Sequence, residues 1–275
     1  MGFLSGLPGE VRDMQKHGEK RINLKFTVAY DGTGFAGFQR QSAGERTVQG
    51  VLEEAFHKLT GEHPKLIAAG RTDTGVHAYG QVINVLTGSR IPLDRWLAAL
   101  NSNLPEDVVA WQVEKVPEDF HARYHALSKV YQYRVLCRPW PDVLRRNYCL
   151  HYPYELDLEP MQEAASYFLG RNDFAAFAAA GSSVKSTVRN LIRLEIEEKG
   201  DELVFTLEAD GFLYKMARNI VGTLLLAGRG KMTPEEIRLI LQEKNRAAAG
   251  PPAPPHGLCL VRVDYPPISL ERGKV

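Results

Sequence analysis

Arg71 and Asp73 stand two residues apart in the stretch Ala68–Gln81, AAGRTDTGVHAYGQ, where an apolar approach (Leu66, Ile67, Ala68, Ala69) runs into charge and glycine. The pair supplies a fixed positive charge and a carboxylate, and Gly75 is free to take a positive φ and turn the chain. A carboxylate is thus presented where a strand gives way to a loop. Read alone, the same Thr-Asp-x-Gly pattern is also that of an ordinary Asx-turn. A second stretch, Ser128–Tyr133, alternates so that Lys129, Tyr131 and Tyr133 share one face of a strand. That row suits phosphates and a stacked base, and it suits a cross-strand aromatic pair as well. In a third, Asp210–Leu224, the stripe Leu213, Met216, Ile220, Val221 and Leu224 leaves Lys215, Arg218 and Asn219 toward the polar side of a helix. An arginine there is ordinarily solvent decoration. His77, His121 and His125 have neither a helix to align them nor a further ligand at recognisable spacing, so no metal site is expected.

The elements that must position these residues can be read in order. Residues 1–21 lack sustained periodicity and read as a flexible leader. Ile22, Leu24, Phe26 and Val28 alternate with polar residues as a strand ending at Asp31-Gly32-Thr33-Gly34. Thr47 opens a helix with Val48, Val51, Leu52, Ala55, Phe56 and Leu59 at helical spacing. After the Asp73 stretch come a strand over 81–86, a helix over 92–101 and a strand over 108–116. The second half repeats that order. A strand spans 127–136, a helix 158–169, and a hairpin 189–198 with 202–210. Helices follow over 212–226 and 234–242, and a last strand over 258–263. The proline-rich run before that strand, AAAGPPAPPHG, reads as a fixed surface crossing. The expected fold is therefore α+β, with two ferredoxin-like βαββαβ-type halves of antiparallel sheet and an active-site cleft between them. The halves divide near Phe120, as residues 22–120 and 121–266, with a tail at 267–275.

Composition narrows the class. With 275 residues, 44% hydrophobic and 24% charged, the chain is ordinary for a globular protein. No long uncharged apolar run is present, since Met216–Ala227 is interrupted by Arg218 and Asn219, so no membrane span is expected. The first residues lack a signal-like apolar core. Cys137, Cys149 and Cys259 are odd in number and lack Cys-x-x-Cys spacing, which fits reduced thiols in the cytoplasm. The net charge of +1 does not announce a nucleic-acid partner. Its distribution is uneven: Arg123, Lys129, Arg134, Arg138, Arg145 and Arg146 crowd the run 121–146, whereas acids crowd 195–208, a pattern that fits opposite faces of different sign and ordinary solvated surface equally well.

The string GRTDTGVHAYGQV resembles the active-site signature of the tRNA pseudouridine synthase A family, usually G-R-T-D-x-G-V-H, with Thr74 where Ala is common. Other stretches carry the resemblance further: Tyr30–Gly32, Gly37–Gln41, Phe120–Arg123 followed by Lys129-x-Tyr131-x-Tyr133, Asn172–Phe174 with Phe177, Gly211–Thr223, and Ala249–Pro251 with His256–Leu258. It runs from about Leu24 to Pro266. The resemblance implies an enzyme that isomerises uridines 38, 39 and 40 of the tRNA anticodon arm. It implies no cofactor, and a homodimer with one tRNA arm reaching across both subunits. By the same resemblance Asp73 is the nucleophile, at C1′ or at C6 of the ring, Tyr131 lies in the substrate pocket and Arg218 meets the Asp73 carboxylate. Tyr133 is expected to be structural, and Arg71, Arg123 and Lys129 to contact phosphates. Two other readings share these residues. A non-catalytic RNA-binding protein would not require Asp73, and a hydrolase at ribose C1′ would need a second carboxylate as general acid.

Overall fold

The computed structural model describes residues 21–41, 44–179 and 185–268. The expected leader and tail lie outside the described residues, apart from Arg21, Pro267 and Ile268. The elements run β1 (Ile22–Tyr30), α1 (Val48–Thr60), β2 (Ile67–Ala68), β3 (His77–Thr87), α2 (Trp96–Asn101) and β4 (Val108–Val116). They continue with β5 (Ser128–Leu136), β6 (Leu150–His151), α3 (Leu158–Tyr167), β7 (Gly170–Asp173), β8 (Val188–Lys199) and β9 (Glu202–Ala209). The last are α4 (Met216–Gly228), α5 (Pro234–Glu243) and β10 (Leu258–Asp264).

The result is a mixed α and β protein with one large, mostly antiparallel sheet. Its strand order is β4-β1-β3-β10-β5-β9-β8-β7, with β2 against β3 and β6 against β5. The first-half strands β4, β1 and β3 are joined to the second-half strands through β10, the last strand in the chain. β10 runs parallel to β3 at His77 and Ala78, while β2 takes the same edge of β3 farther along, at Ile83 and Asn84. A side chain at Gly80 would run into the Val261 carbonyl, so this close seam requires glycine there. Residues 69–76 leave the sheet where β2 and β10 part, which places Asp73 at a split in a sheet edge.

Local sequence accounts for the helices that support this sheet. Thr47 caps α1 by accepting a bond from the Gly50 N–H, and Gly61 ends it at φ 74°. Val48, Leu52, Ala55 and Phe56 form its buried stripe. Phe26 of β1 meets Phe56 and Trp96 edge-on, at 5.4 and 5.8 Å between centroids, tying α1 and α2 to the sheet. In the second half, Phe168, Phe174 and Phe177 make the corresponding cluster.

α4 departs from expectation in two ways. It begins at Met216 rather than Phe212, because Lys215 takes a left-handed φ of 60° that breaks the helical path. Its expected polar side is also buried: Arg218 is 8% exposed and Asn219 0%. The proline-rich run covers that side instead of crossing open surface. Gly250 N–H donates to Thr223 Oγ1 at 3.0 Å, Ala253 N–H donates to the Arg218 carbonyl at 2.9 Å, and a side chain at Gly222 would strike the Pro251 carbonyl. Prolines without N–H groups can lie close against a helix without leaving donors unsatisfied. No helix among the described residues is long and apolar enough to cross a membrane.

Candidate active site

Asp73 sits in a loop that is fixed by backbone bonds rather than by its own side chain. Phe38 N–H donates to the Thr72 carbonyl at 3.0 Å, Gly75 N–H to the Phe35 carbonyl at 3.4 Å, and Val76 N–H to the Asp73 carbonyl at 3.1 Å. The Tyr30 and Thr72 hydroxyls bond at 2.8 Å, and Gln81 donates to the Gly70 carbonyl at 2.9 Å. Gly37, at φ 96°, passes so close that a Cβ there would lie 3.0 Å from the Thr72 carbonyl oxygen. Gly75, at φ 75°, makes the turn. Gly32 N–H donates to His77 Nδ1 at 2.9 Å, which leaves the proton on Nε2 for donation to the Asn147 carbonyl at 2.8 Å. His77 thus pins the loop to both halves of the chain. Among the described residues no group of three His, Cys, Asp or Glu side chains is placed to hold a metal ion.

Arg218 reaches this loop from α4. Its Nε donates to the Ala253 carbonyl at 2.7 Å and its Nη1 to Asp73 Oδ2 at 3.1 Å. The two side chains are 10% and 21% exposed, so the pair is shielded from water while one side of the carboxylate stays reachable. An arginine held at Nε by the backbone presents its remaining N–H groups to the carboxylate in a fixed direction.

Tyr131 lies in the middle of β5 between Leu207 and Leu260, with its ring edge-on to Phe212 at 5.0 Å. Burial, with Tyr30 and Asp73 close by, pushes its phenol far above the ordinary range and keeps it neutral. Tyr133 is fully buried and donates to the Pro254 carbonyl at 2.8 Å. Lys129 stands beside the loop, its Nζ 3.5 Å from where a Gly70 Cβ would be. Burial first, and the charges of Arg123 and Arg189 next, push its ammonium down to about 8, with Asp210 opposing them. Arg71 and Arg123 are exposed at the rim.

All six residues singled out from the sequence, Arg71, Asp73, Arg123, Lys129, Tyr131 and Arg218, line one cleft of about 1060 Å³. Asp73 is its sole carboxylate among the described residues, in a lining that also holds Arg40, Lys65, Arg71, Arg123, Lys129, Lys215 and Arg218. Sequence reasoning missed Lys65 and Lys215 as cleft residues, and Phe212, which meets Tyr131. It also missed the clamp formed by Tyr30, Gly32 and Gly37. The Tyr30–Gly32 and Gly37–Gln41 patterns were the available signal.

The basic run 121–146 does not form a continuous face opposite the acids of 195–208. Arg134 pairs with Glu202, Arg138 with Asp142 and Asp201, and Arg145 with Asp142, Asp201 and Glu202. The reason is register: β5 and β9 are neighbours, and Leu136 stands opposite Glu202. Of that run, Arg123 and Lys129 face the cleft.

A family model described as tRNA pseudouridine synthase matches residues 27–125 and 164–266. The chain is 49% identical over 256 residues to a tRNA pseudouridine synthase A of Halalkalibacterium halodurans, covering 93% of this chain and 96% of that one. It is 47% identical over 243 residues to tRNA pseudouridine synthase A 2 of Clostridium perfringens, covering 88% and 99%. A chain from the crystal structure of a Cbf5-Nop10-Gar1 complex overlaps with a TM-score of 0.37 at 14% identity. That overlap covers 86% of this chain and about half (49%) of the other.

Proposed function

Because the chain belongs to the tRNA pseudouridine synthase family, we propose that it isomerises uridines 38, 39 and 40 of the tRNA anticodon stem-loop with Asp73 as the nucleophile. The N1–C1′ bond breaks, the base turns, C5 bonds to C1′, the C5 proton leaves to solvent and N1 takes up a proton in its place. Attack by the carboxylate at C1′ displaces the base through N1, or attack at C6 adds Asp73 to the ring. The Asp73 bond is broken again when C5 displaces it from C1′, or when it is eliminated from C6, so the carboxylate is regenerated and no external cofactor is consumed. Arg218 orients Asp73 and is its electrostatic partner. The observation that carries this reading is the Asp73–Arg218 pair at 3.1 Å in a cleft lined by no other carboxylate among the described residues. A glycoside hydrolase would normally use a second one.

A uridine in a stem must leave the stack, at a cost of a few kcal/mol. Packing of the base on Tyr131 would return about 1–3 kcal/mol. Since that contribution comes from the ring, Tyr131→Phe is expected to bind tRNA nearly as the wild type does in a filter-binding titration. A large loss of affinity would assign the hydroxyl a direct part in recognition.

Arg71, Arg123 and Lys129 serve as phosphate contacts. A phosphate brought to Lys129 raises its pKa again, so RNA binding takes up a proton at and above pH of about 8. Affinity is therefore expected to fall more steeply with rising pH through that range in the wild type than in Lys129→Arg, whose guanidinium stays charged. Equal pH slopes would remove Lys129 from the RNA interface. For the free protein the sign is opposite. The folded ammonium is the more acidic one, so raising the pH above about 8 relieves its burial and favours folding.

The enzyme acts in the cytoplasm as a homodimer, with a tRNA arm spanning both subunits, which sedimentation with and without tRNA would test. The reaction itself is tested by tritium release from tRNA labelled at uridine C5, with a chelator present. Stoichiometric release is expected. Binding without release would favour the non-catalytic RNA-binding reading, and free uracil would favour the hydrolase.

A further inference from the structure

Two tyrosines line the Asp73 cleft without being buried in it. Tyr124, in the turn before β5, is 73% exposed, and Tyr214, in the loop before α4, is 45% exposed. By contrast Tyr131 is 7% exposed and already edge-on to Phe212. Each exposed ring is the chain neighbour of a cation that sits over it: the Arg123 guanidinium lies 5.8 Å from the Tyr124 centroid, and Lys215 Nζ lies 5.1 Å from that of Tyr214. Neither cation has a carboxylate within ion-pairing distance among the described residues.

Tyr124 is held at its ring and Tyr214 at its backbone. Tyr124 rests on His121 at 4.2 Å between centroids, and its backbone N–H donates to His121 Nδ1 at 3.3 Å. The Tyr214 carbonyl accepts from Ala179 N–H at 2.9 Å, and the next residue, Lys215, is held at φ 60° with its carbonyl accepting from Asn219 N–H at 2.9 Å. A lysine in that conformation is strained, and such strain persists only where the surroundings over-determine it. The loop therefore presents Tyr214 to the cleft at an energetic cost. Fixed, water-facing aromatic rings beside unpaired cations are the combination that holds unpaired nucleotides. The ring stacks on a base while the cation meets the backbone phosphate.

We propose that Tyr124 and Tyr214 are stacking posts at the mouth of the cleft, which take unpaired loop bases near the uridine that enters it. The inference rests on the reading of this cleft as the RNA site. It makes the two residues determinants of RNA fit, separate from the Asp73–Arg218 pair.

The test is the dissociation constant of a synthetic anticodon stem-loop RNA, measured over a range of salt for the full chain and for Tyr124→Leu, Tyr214→Leu and the two Phe variants. Loss of one stacked base is expected to weaken binding by about 5- to 150-fold in each Leu variant. The slope of log Kd against log salt should stay unchanged, because no charge is removed. The Phe variants keep the ring and should bind within about threefold of the wild type. Leu variants that bind as the wild type does would overturn the proposal, and so would Phe variants that lose as much as Leu. The parent reading fails differently: the wild type would release no tritium from C5-labelled tRNA, whatever the ratios among these variants.

Discussion

Asp73→Asn is expected to lower pseudouridine formation on the order of 10³-fold or more, while tRNA affinity stays within about threefold of the wild type. The substitution keeps the shape of the side chain and removes the charge and nucleophilicity of the carboxylate. It should not disturb the loop, since the bonds that hold residues 69–77 to the rest of the fold include those with Tyr30, Gly32, Phe35, Phe38, Gln81, Val82 and Asn147, and none of these uses the Asp73 side chain. An amide can still accept from Arg218 Nη1, so the neighbouring helix keeps its contact. Activity near that of the wild type would remove Asp73 from the chemistry. Lost activity together with a collapsed melting temperature would assign it a structural part.

The second large effect is expected at Arg218. Arg218→Gln should reduce turnover by about 10²- to 10³-fold, the range seen when a group that stabilises reacting charge is removed. Unlike the change at Asp73, it should also destabilise the fold. The Ala253 carbonyl loses its donor and the half-buried Asp73 carboxylate loses its partner. We expect about 2–4 kcal/mol, below the 3–5 kcal/mol of a fully buried pair because Asp73 remains 21% exposed. Arg218→Lys separates the two parts. One ammonium keeps the charge, but it lacks the geometry to serve the Ala253 carbonyl through Nε and Asp73 through Nη1 together. Kinetics and thermal melts on the two variants would show whether charge or orientation dominates. Turnover by the Lys variant equal to the wild type would reduce Arg218 to a countercharge.

Much of the site could be read from the residues because its parts are local patterns. The Arg71–His77 string carries its own turn residues, Tyr131 lies on a strand of clear alternation, and the apolar stripe of α4 identifies the helix that carries Arg218. Thr47 and Gly61 mark both ends of α1, and Val108–Val116 appears as predicted. What escaped depends on distant partners or on very short elements. β6 spans two residues and β7 four, too few to show a period. Arg218 looks solvent-facing on a helical wheel because the segment that covers it, around Ala253, lies 35 residues away in sequence. The same holds for the arginines of 121–146, whose neutralising acids approach only when β5 and β9 pair. The joining of both parts of the chain into one sheet, through the parallel contact of β3 and β10, also has no local signature. Its one trace is Gly80, where the backbones come too close for a side chain. These long-range features turn a turn-like carboxylate into one held against a buried arginine.

The most direct test of the account is to map the modified positions. Unmodified tRNA carrying uridines at 38, 39 and 40 would be incubated with the protein and a chelator, then treated with a carbodiimide that marks pseudouridine for reverse transcription. Stops are expected at those three positions with the wild type and none with Asp73→Asn. Stops elsewhere in the tRNA, or stops that persist when Asp73 is replaced, would contradict it.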